Sequence, residues 1–296
     1  MNTSSGIWRM VVAMSLSGTI GLFVLMSGQS AQTVVFFRCL IGGLSLLGWL
    51  SWQGGWRRLA SREIGWLILG AIALISNWLC LFSAYRSSSI SIATVIYHVQ
   101  PFFLIILAGI AQKEVPSWSK LSLLALAFLG VAMISGINFG DGGRMMLGGA
   151  LLALVAAFLY AVATLTTKKL VGVPPAQIAG LQLILGVPVL ALLADFSSLG
   201  LVWQSWTSLL LLGLVHTGLM YNLLYSAFQR LPAGMIASLS FVYPVVAILA
   251  DVTFFHTTIN SMQMLGILLI AVAVVANQRG WNLPRWHTLL QLWSSK

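Results

Sequence analysis

Residues 89–110 read SISIATVIYHVQPFFLIILAGI, and residues 233–255 read AGMIASLSFVYPVVAILADVTFF. The first stretch carries no charged side chain, and the second carries only Asp251. Each is long enough to cross a bilayer, which takes about 20 apolar residues. Each also holds a proline near its middle, Pro101 and Pro244. Proline removes a backbone donor and leaves a carbonyl without its helical partner. Inside hydrocarbon no water can serve that carbonyl, so protein must. A kink that serves packing alone is one reading. A hinge or cavity-lining bend is the other, because broken helices at corresponding places in two halves point to a transport site.

The rest of the chain has the same character. Of 296 residues, 59% are hydrophobic and 7% are charged, against roughly 25% charged in a soluble domain. Such a chain has no polar surface with which to cover a core in water, and the bilayer is the solvent that suits it. Hydropathy divides it into ten spans: 7–26, 33–52, 64–85, 89–110, 119–137, 146–166, 176–194, 208–228, 233–255 and 260–277. Arg86 separates the third span from the fourth. Arg230-Leu231-Pro232 separates the eighth from the ninth, and Pro232 suits the first turn of a new helix. The fold class is therefore all-α, integral to the membrane, with an apolar first helix that is retained and not cleaved as a signal.

The formal charge is +10. A soluble protein with that balance would invite a search for nucleic acid, but here the cations sit in short loops and at the ends. With the N-terminus in the cytoplasm, the inner segments hold Arg9, Arg57, Arg58, Arg62, Lys113, Lys120, Lys168, Lys169, Arg230, Arg279, Arg285 and Lys296. The outer loops hold Arg86 and Arg144, and Arg38 lies inside span 2, which accounts for all 15 Lys and Arg. That bias places both termini in the cytoplasm. Five spans then lie on either side of Gly140-Asp141-Gly142-Gly143. Residues 1–140 form one unit, 141–280 a second that enters from the opposite side, and 281–296 a cytoplasmic tail. An ungapped shift of 143 residues pairs Leu69-Gly70 with Leu212-Gly213, Ser83-Ala84-Tyr85 with Ser226-Ala227-Phe228, and Pro101 with Pro244. The expectation is two inverted five-helix repeats.

Polar groups inside a bilayer are costly and are candidates for function. Asn77 and Trp78 lie in span 3; Thr94, Tyr97, His98 and Gln100 in span 4; Tyr160 and Thr164 in span 6; His216, Tyr221, Asn222 and Tyr225 in span 8; Ser240 and Tyr243 in span 9. Thr94, His98 and Pro101 would share one face of a continuous helix. These side chains form hydrogen bonds and offer aromatic faces without dense charge. They suit a neutral or zwitterionic solute with an apolar body, and not a phosphate ester, which would need convergent Lys or Arg. Packing alone is the competing account of His98 and His216. Trp49, Trp52, Trp66, Trp118, Trp203 and Trp206 read as interfacial anchors, and Gly42, Gly43, Gly148 and Gly149 as points of close helix contact. Cys39 and Cys80 read as buried thiols over a disulfide. Nothing suggests catalysis, a metal or a cofactor: the four histidines lack metal-ligand spacing and no phosphate-binding loop is present.

Several features together resemble the drug/metabolite transporter superfamily of the EamA type. They are Arg38, Gln100-Pro101-Phe102 through Lys113-Glu114, Gly130, Tyr160-Ala161 through Lys168-Lys169, and Tyr243-Pro244. Within it the chain is similar to bacterial aromatic amino-acid exporters of the YddG type. The resemblance implies ten helices in two inverted repeats in the bacterial inner (plasma) membrane. It further implies export of aromatic and other neutral amino acids, or similar small metabolites, by alternating access through a central cavity. One chain supplies both halves, so a monomer suffices. Thr257 stands where the Glu114 pattern would place a second Glu. A scaffold, receptor or channel is the alternative function. Arg38 and Asp251 are the two opposite charges well inside spans; they brace the halves, gate the outer pathway, or do not meet.

Overall fold

The computed structural model describes residues 3–87, 90–134, 145–197, 203–255 and 260–281, with side chains for all of these except 85–87, 90–92, 134, 145–147, 251 and 255. Ten helical rods are present among them. α1 runs Thr3–Gly18 and Ile20–Ser27, α2 Ala31–Trp52, α3 Ser61–Ser87, α4 Ile90–Tyr97 and Gln100–Gln112, and α5 Trp118–Ile134. α6 runs Met145–Lys169, α7 Pro175–Ala191, α8 Trp203–Arg230 with a π-helical stretch at Leu214–Leu219, α9 Ala233–Leu239 and Val242–Phe255, and α10 Ser261–Gln278. Eight are long and apolar enough to cross a bilayer; α5 and α7 are shorter. α8 begins at Trp203, a turn and more before the start expected from hydropathy, because Trp203–Thr207 are helical but amphipathic.

Local chemistry explains the ends. Ser30, in an extended conformation, accepts from the Thr33 N–H at 3.3 Å and starts α2. Asn260 and Gln263 form a reciprocal capping box at α10. α4 ends where Lys113 turns left-handed (φ 56°) and the Glu114 N–H donates to Gly109 O at 2.9 Å. A Cβ on Gly109 would lie 2.6 Å from Glu114 O, so this terminator needs glycine there. The Lys113-Glu114 pair is thus part of a helix stop.

Packing follows a twofold pattern. α3 packs on α6 as α8 packs on α1; α4 on α6 as α9 on α1; α3 on α7 as α8 on α2. The contacts α2–α7, α4–α9 and α5–α10 map onto themselves. Every one of these agrees with equivalence of α1–α5 to α6–α10. Glycines set two related interfaces. A Cβ on Gly213 of α8 would meet Ile41 of α2 at 2.5 Å, and one on Gly70 of α3 would meet Gln182 of α7. Gly42 and Gly43 are close-contact points as expected, facing Thr217 and Ile184, whereas Gly148 has nothing within 4 Å. Exposed Leu44, Ile110, Leu129, Leu192 and Leu268 give the bundle an apolar exterior. Trp52, Trp118 and Trp203 project at helix ends, but Trp206 packs edge-on against Phe37 at 5.4 Å. Cys39 and Cys80 are free thiols.

Candidate functional site

Two ring contacts join residues that are 143 apart in sequence. Trp78 of α3 meets Tyr221 of α8 edge-to-face at 6.0 Å. His98 of α4 meets Phe241 of α9 at 6.3 Å. A residue can touch its own symmetry equivalent only beside the symmetry axis. For inverted repeats that axis lies in the membrane plane. The two pairs therefore mark the centre of the molecule. His98 and Phe241 are also the positions where α4 and α9 break. Pro101 follows in the first turn of the second segment of α4, and Pro244 does so in α9. The break divides the single face expected for Thr94, His98 and Pro101. Thr94 and His98 stay linked through His98 Nδ1 and Thr94 O at 2.7 Å, while Pro101 belongs to the next segment.

Around this centre the side chains form three groups. Asn77, fully buried, donates to Ala156 O at 2.6 Å and to Tyr97 OH at 3.2 Å, and Tyr97 lies edge-on to Tyr160 at 6.1 Å. His98 stacks on Tyr243 at 5.6 Å. Its Nδ1–H is spent on Thr94 O, so on the neutral ring Nε2 is left as an acceptor. Gln100, also buried, has a side-chain nitrogen with no hydrogen-bond partner among the described residues. Tyr221 continues from Trp78 to Tyr225 at 5.5 Å, whose hydroxyl donates to Gln182 Oε1 at 2.5 Å. Asn222 is half-buried on the same turn of α8 as Tyr221.

A further group surrounds Arg38. Its side chain is 7% exposed. Nε donates to Thr217 Oγ1 at 3.0 Å, one terminal nitrogen donates to His216 O at 3.3 Å, and Cζ lies 5.5 Å from the centre of the Trp78 ring. The π-helical stretch of α8 makes this possible. Its wide turn presents the His216 carbonyl sideways, and Thr217 Oγ1 donates five residues back to Leu212 O at 2.8 Å. His216 itself is wedged between helices, 3.0 Å from Thr19 Oγ1 at the break in α1 and 4.7 Å from the Phe23 ring. Packing accounts for it. The side chain of Asp251, considered above as the partner of Arg38, lies outside the described residues, as does Thr257. Among the described residues the one ion pair is Arg57–Glu63 at 2.9 Å.

The two ends of the bundle differ. At the end that carries most of the basic residues, α6 and α8 cap each other. Lys168 Nζ donates to Phe228 O at 3.1 Å and to Leu231 O. Gln229 Nε2 donates to Leu170 O at 2.8 Å and Val173 O at 3.0 Å. Nearby, Gln177 exchanges bonds with the Arg57 backbone at 2.8 and 3.1 Å. At the opposite end a cavity of about 270 Å³ opens between α2, α3 and α7, lined by Gln32, Val35, Leu79, Phe82, Ser83, Leu190 and Leu193. It approaches the roughly 300 Å³ at which small-molecule sites begin. Val35 is one turn before Arg38, and Leu79 adjoins Trp78.

Sequence reasoning missed Thr217, Phe241, Gln182 and Gln229. Phe241 was available from the 143-residue shift, as the equivalent of His98. The other three carry no local signal, because their partners come from distant helices.

Comparison with known proteins agrees with this architecture. The sequence model of the EamA-like transporter family matches residues 4–136 and again 147–277. A Bacillus subtilis (strain 168) protein named "Uncharacterized transporter YxxF" is 31% identical over 271 residues, 90% of this chain and 87% of its own. A Salmonella typhimurium (strain LT2) protein named "Probable amino-acid metabolite efflux pump" is 27% identical, over 66% of this chain and 69% of its own. A solved crystal structure superimposes with a TM-score of 0.83 at 17% identity, over 94% of this chain and 99% of its own, which speaks to the fold. Two family matches in tandem cover the two packed halves, and the chain belongs to the EamA-like transporter family of multi-pass membrane proteins.

Proposed function

We propose that this transporter exports aromatic and other neutral amino acids, or metabolites of similar size, by alternating access through the centre marked by Trp78, Tyr221, His98 and Phe241. The carrying observation is the composition of that centre: aromatic faces, hydrogen-bonding groups with spare capacity at His98 and Gln100, and one cation. Such a site buries an apolar side chain against rings while offering polar partners to the backbone of an amino acid. Leaving those polar ends bare would cost several kcal/mol. The amino-acid efflux named for the Salmonella relative supports the substrate class, as does the likeness to YddG-type exporters. Asn77, Trp78, Thr94, Tyr97, His98, Gln100, Tyr160, Tyr221, Asn222 and Tyr243 are the proposed binding set, with Pro101 and Pro244 as hinges.

The basic loops support an orientation with both termini in the cytoplasm of a bacterial inner membrane, and the proposed working unit is a monomer of two halves, 1–140 and 141–280. With that topology the molecule is closed inside, by the α6–α8 caps, and open outside, at the α2–α3–α7 cavity. The test is flux of a labelled amino-acid panel into liposomes that hold the purified protein. Saturable, side-chain-selective counterflow is expected. Non-saturable conductance would make the protein a channel, and no flux of any solute would leave a scaffold or receptor.

A further inference from the structure

Among the described residues Arg38 is the one cation at the centre, and the sequence repeat does not require it. Its equivalent 143 residues on is Leu181, so symmetry alone would put an apolar residue there. A buried guanidinium in a membrane is costly unless paired. Arginine has five N–H donors. Thr217 and the His216 carbonyl occupy Nε and one terminal nitrogen, and neither acceptor is anionic. No carboxylate of the described residues reaches the rest of the group. The guanidinium lies over Trp78, on the pseudo-twofold axis, and the cavity that enters from the far end is lined to within one turn of it.

We infer that Arg38 receives the carboxylate of the transported solute, with Trp78 and Tyr221 flanking the solute's apolar body. Thr217 and the His216 carbonyl hold the fork by one edge, so the other edge stays aimed for the charge-assisted bonding that guanidinium gives carboxylates. This restricts the substrate class to monocarboxylates with a compact apolar or aromatic body; amines and amides of the same shape lack the group that Arg38 needs. The inference rests on the proposed transport role of the same centre, but its test does not depend on flux.

Purified protein is heated with four solutes of one shape: phenylalanine, 3-phenylpropionate, phenylalaninamide and phenethylamine. Phenylalanine and 3-phenylpropionate are expected to raise the unfolding temperature at concentrations at least about tenfold lower than the other two. Arg38→Gln should erase the difference, and Arg38→Lys, which keeps the charge but not the planar fork, should keep part of it. A purely bracing Arg38 would weaken all four solutes alike. Equal potency of phenylalanine and its amide on the unaltered protein overturns the inference, whether or not Arg38→Gln folds, and so does stabilisation by none of the four. If carboxylate-dependent binding is found but liposomes carry no flux, the transport reading fails and the Arg38 assignment stands.

Discussion

Gln229→Leu should release the closed end of the bundle. Gln229 Nε2 bridges from α8 to two carbonyls after α6, Leu170 O at 2.8 Å and Val173 O at 3.0 Å. These bonds exist only while the two helix ends touch. When the end opens, water takes over both the amide and the carbonyls, so the substitution costs the closed state alone. At about 0.5–1.5 kcal/mol for each neutral bond, the loss is about 1–3 kcal/mol. At 1.4 kcal/mol per tenfold, the open-to-closed ratio should rise roughly 5- to 150-fold. The assay is the labelling rate of a cysteine placed at Ala227, which is fully buried one turn before the α8 end, with Cys39 and Cys80 replaced. Labelling follows the open population when opening is fast relative to modification. Lys168→Met, which removes a charged donor from Phe228 O and Leu231 O, should act in the same direction and more strongly. Equal labelling of the Ala227→Cys protein with and without Gln229→Leu would refute the idea that these bonds hold the end shut.

Three further outcomes are expected. Gly42→Val should lower the unfolding temperature, by the equivalent of about 1–3 kcal/mol of overpacking, because even a Cβ there would lie 2.6 Å from Thr217 Cγ2 and 3.0 Å from Gly213 O; an unchanged temperature would mean that α2 and α8 can part without cost. Asn77→Leu should reduce flux without loss of expression, since it strips the donor from Ala156 O and Tyr97 OH and so removes one of the contacts that position Tyr97; normal flux would remove that group from the site. Impermeant thiol reagents applied outside cells should label cysteines placed near Gly28, Gly142 and Ser198 and miss those near Gly55 and Val171, and the reverse pattern would overturn the orientation drawn from the basic loops.

The sequence read well where one helix suffices to explain a residue. Apolar length located the ten spans, and Pro101 and Pro244 located the breaks in α4 and α9, whereas the break in α1 at Thr19 has no proline to mark it. Ends were less exact: Trp203–Thr207 are polar enough to drop below a hydropathy threshold yet extend α8 by more than a turn. The site was legible in its residue types but not in its joinery. Lys168 reads the same in sequence whether its ammonium meets water or the carbonyls of another helix. It was counted for topology, and its bonds to α8 came only from the structure. The π-helical stretch at Leu214–Leu219 had no marker, because a wider turn is selected by what it presents to a neighbour, here a carbonyl to Arg38. Arg38 itself stood out as an interior charge, but sequence could offer only another charge as its partner. A hydroxyl, a carbonyl and an indole face are invisible to that kind of search.

The departures from symmetry then acquire a common meaning. Two perfectly equivalent inverted repeats would make the open-outside and open-inside states interchange by a twofold rotation, with equal energy, and a solute would meet the same groups from either side. Trp78 with Tyr221, and His98 with Phe241, keep close to that condition at the axis, where both states must present rings to the same solute. Away from it the halves differ. Lys168 corresponds to Leu25, whose side chain can donate nothing, so the α6–α8 end has a lysine latch that the described residues of the α1–α3 end do not repeat. Arg38 corresponds to Leu181, and the π-helical turn that holds it corresponds to regular helix in α3. The first difference sets which state is favoured at rest. On the proposed Arg38 assignment, the second would fix which way round a carboxylate-bearing solute lies, since among the described residues only the α2 side offers a cation at the centre. Under the proposed function, a bundle of two such repeats would need both kinds of exception to move one class of solute in one orientation, and both are carried by a handful of side chains laid over an otherwise symmetric frame.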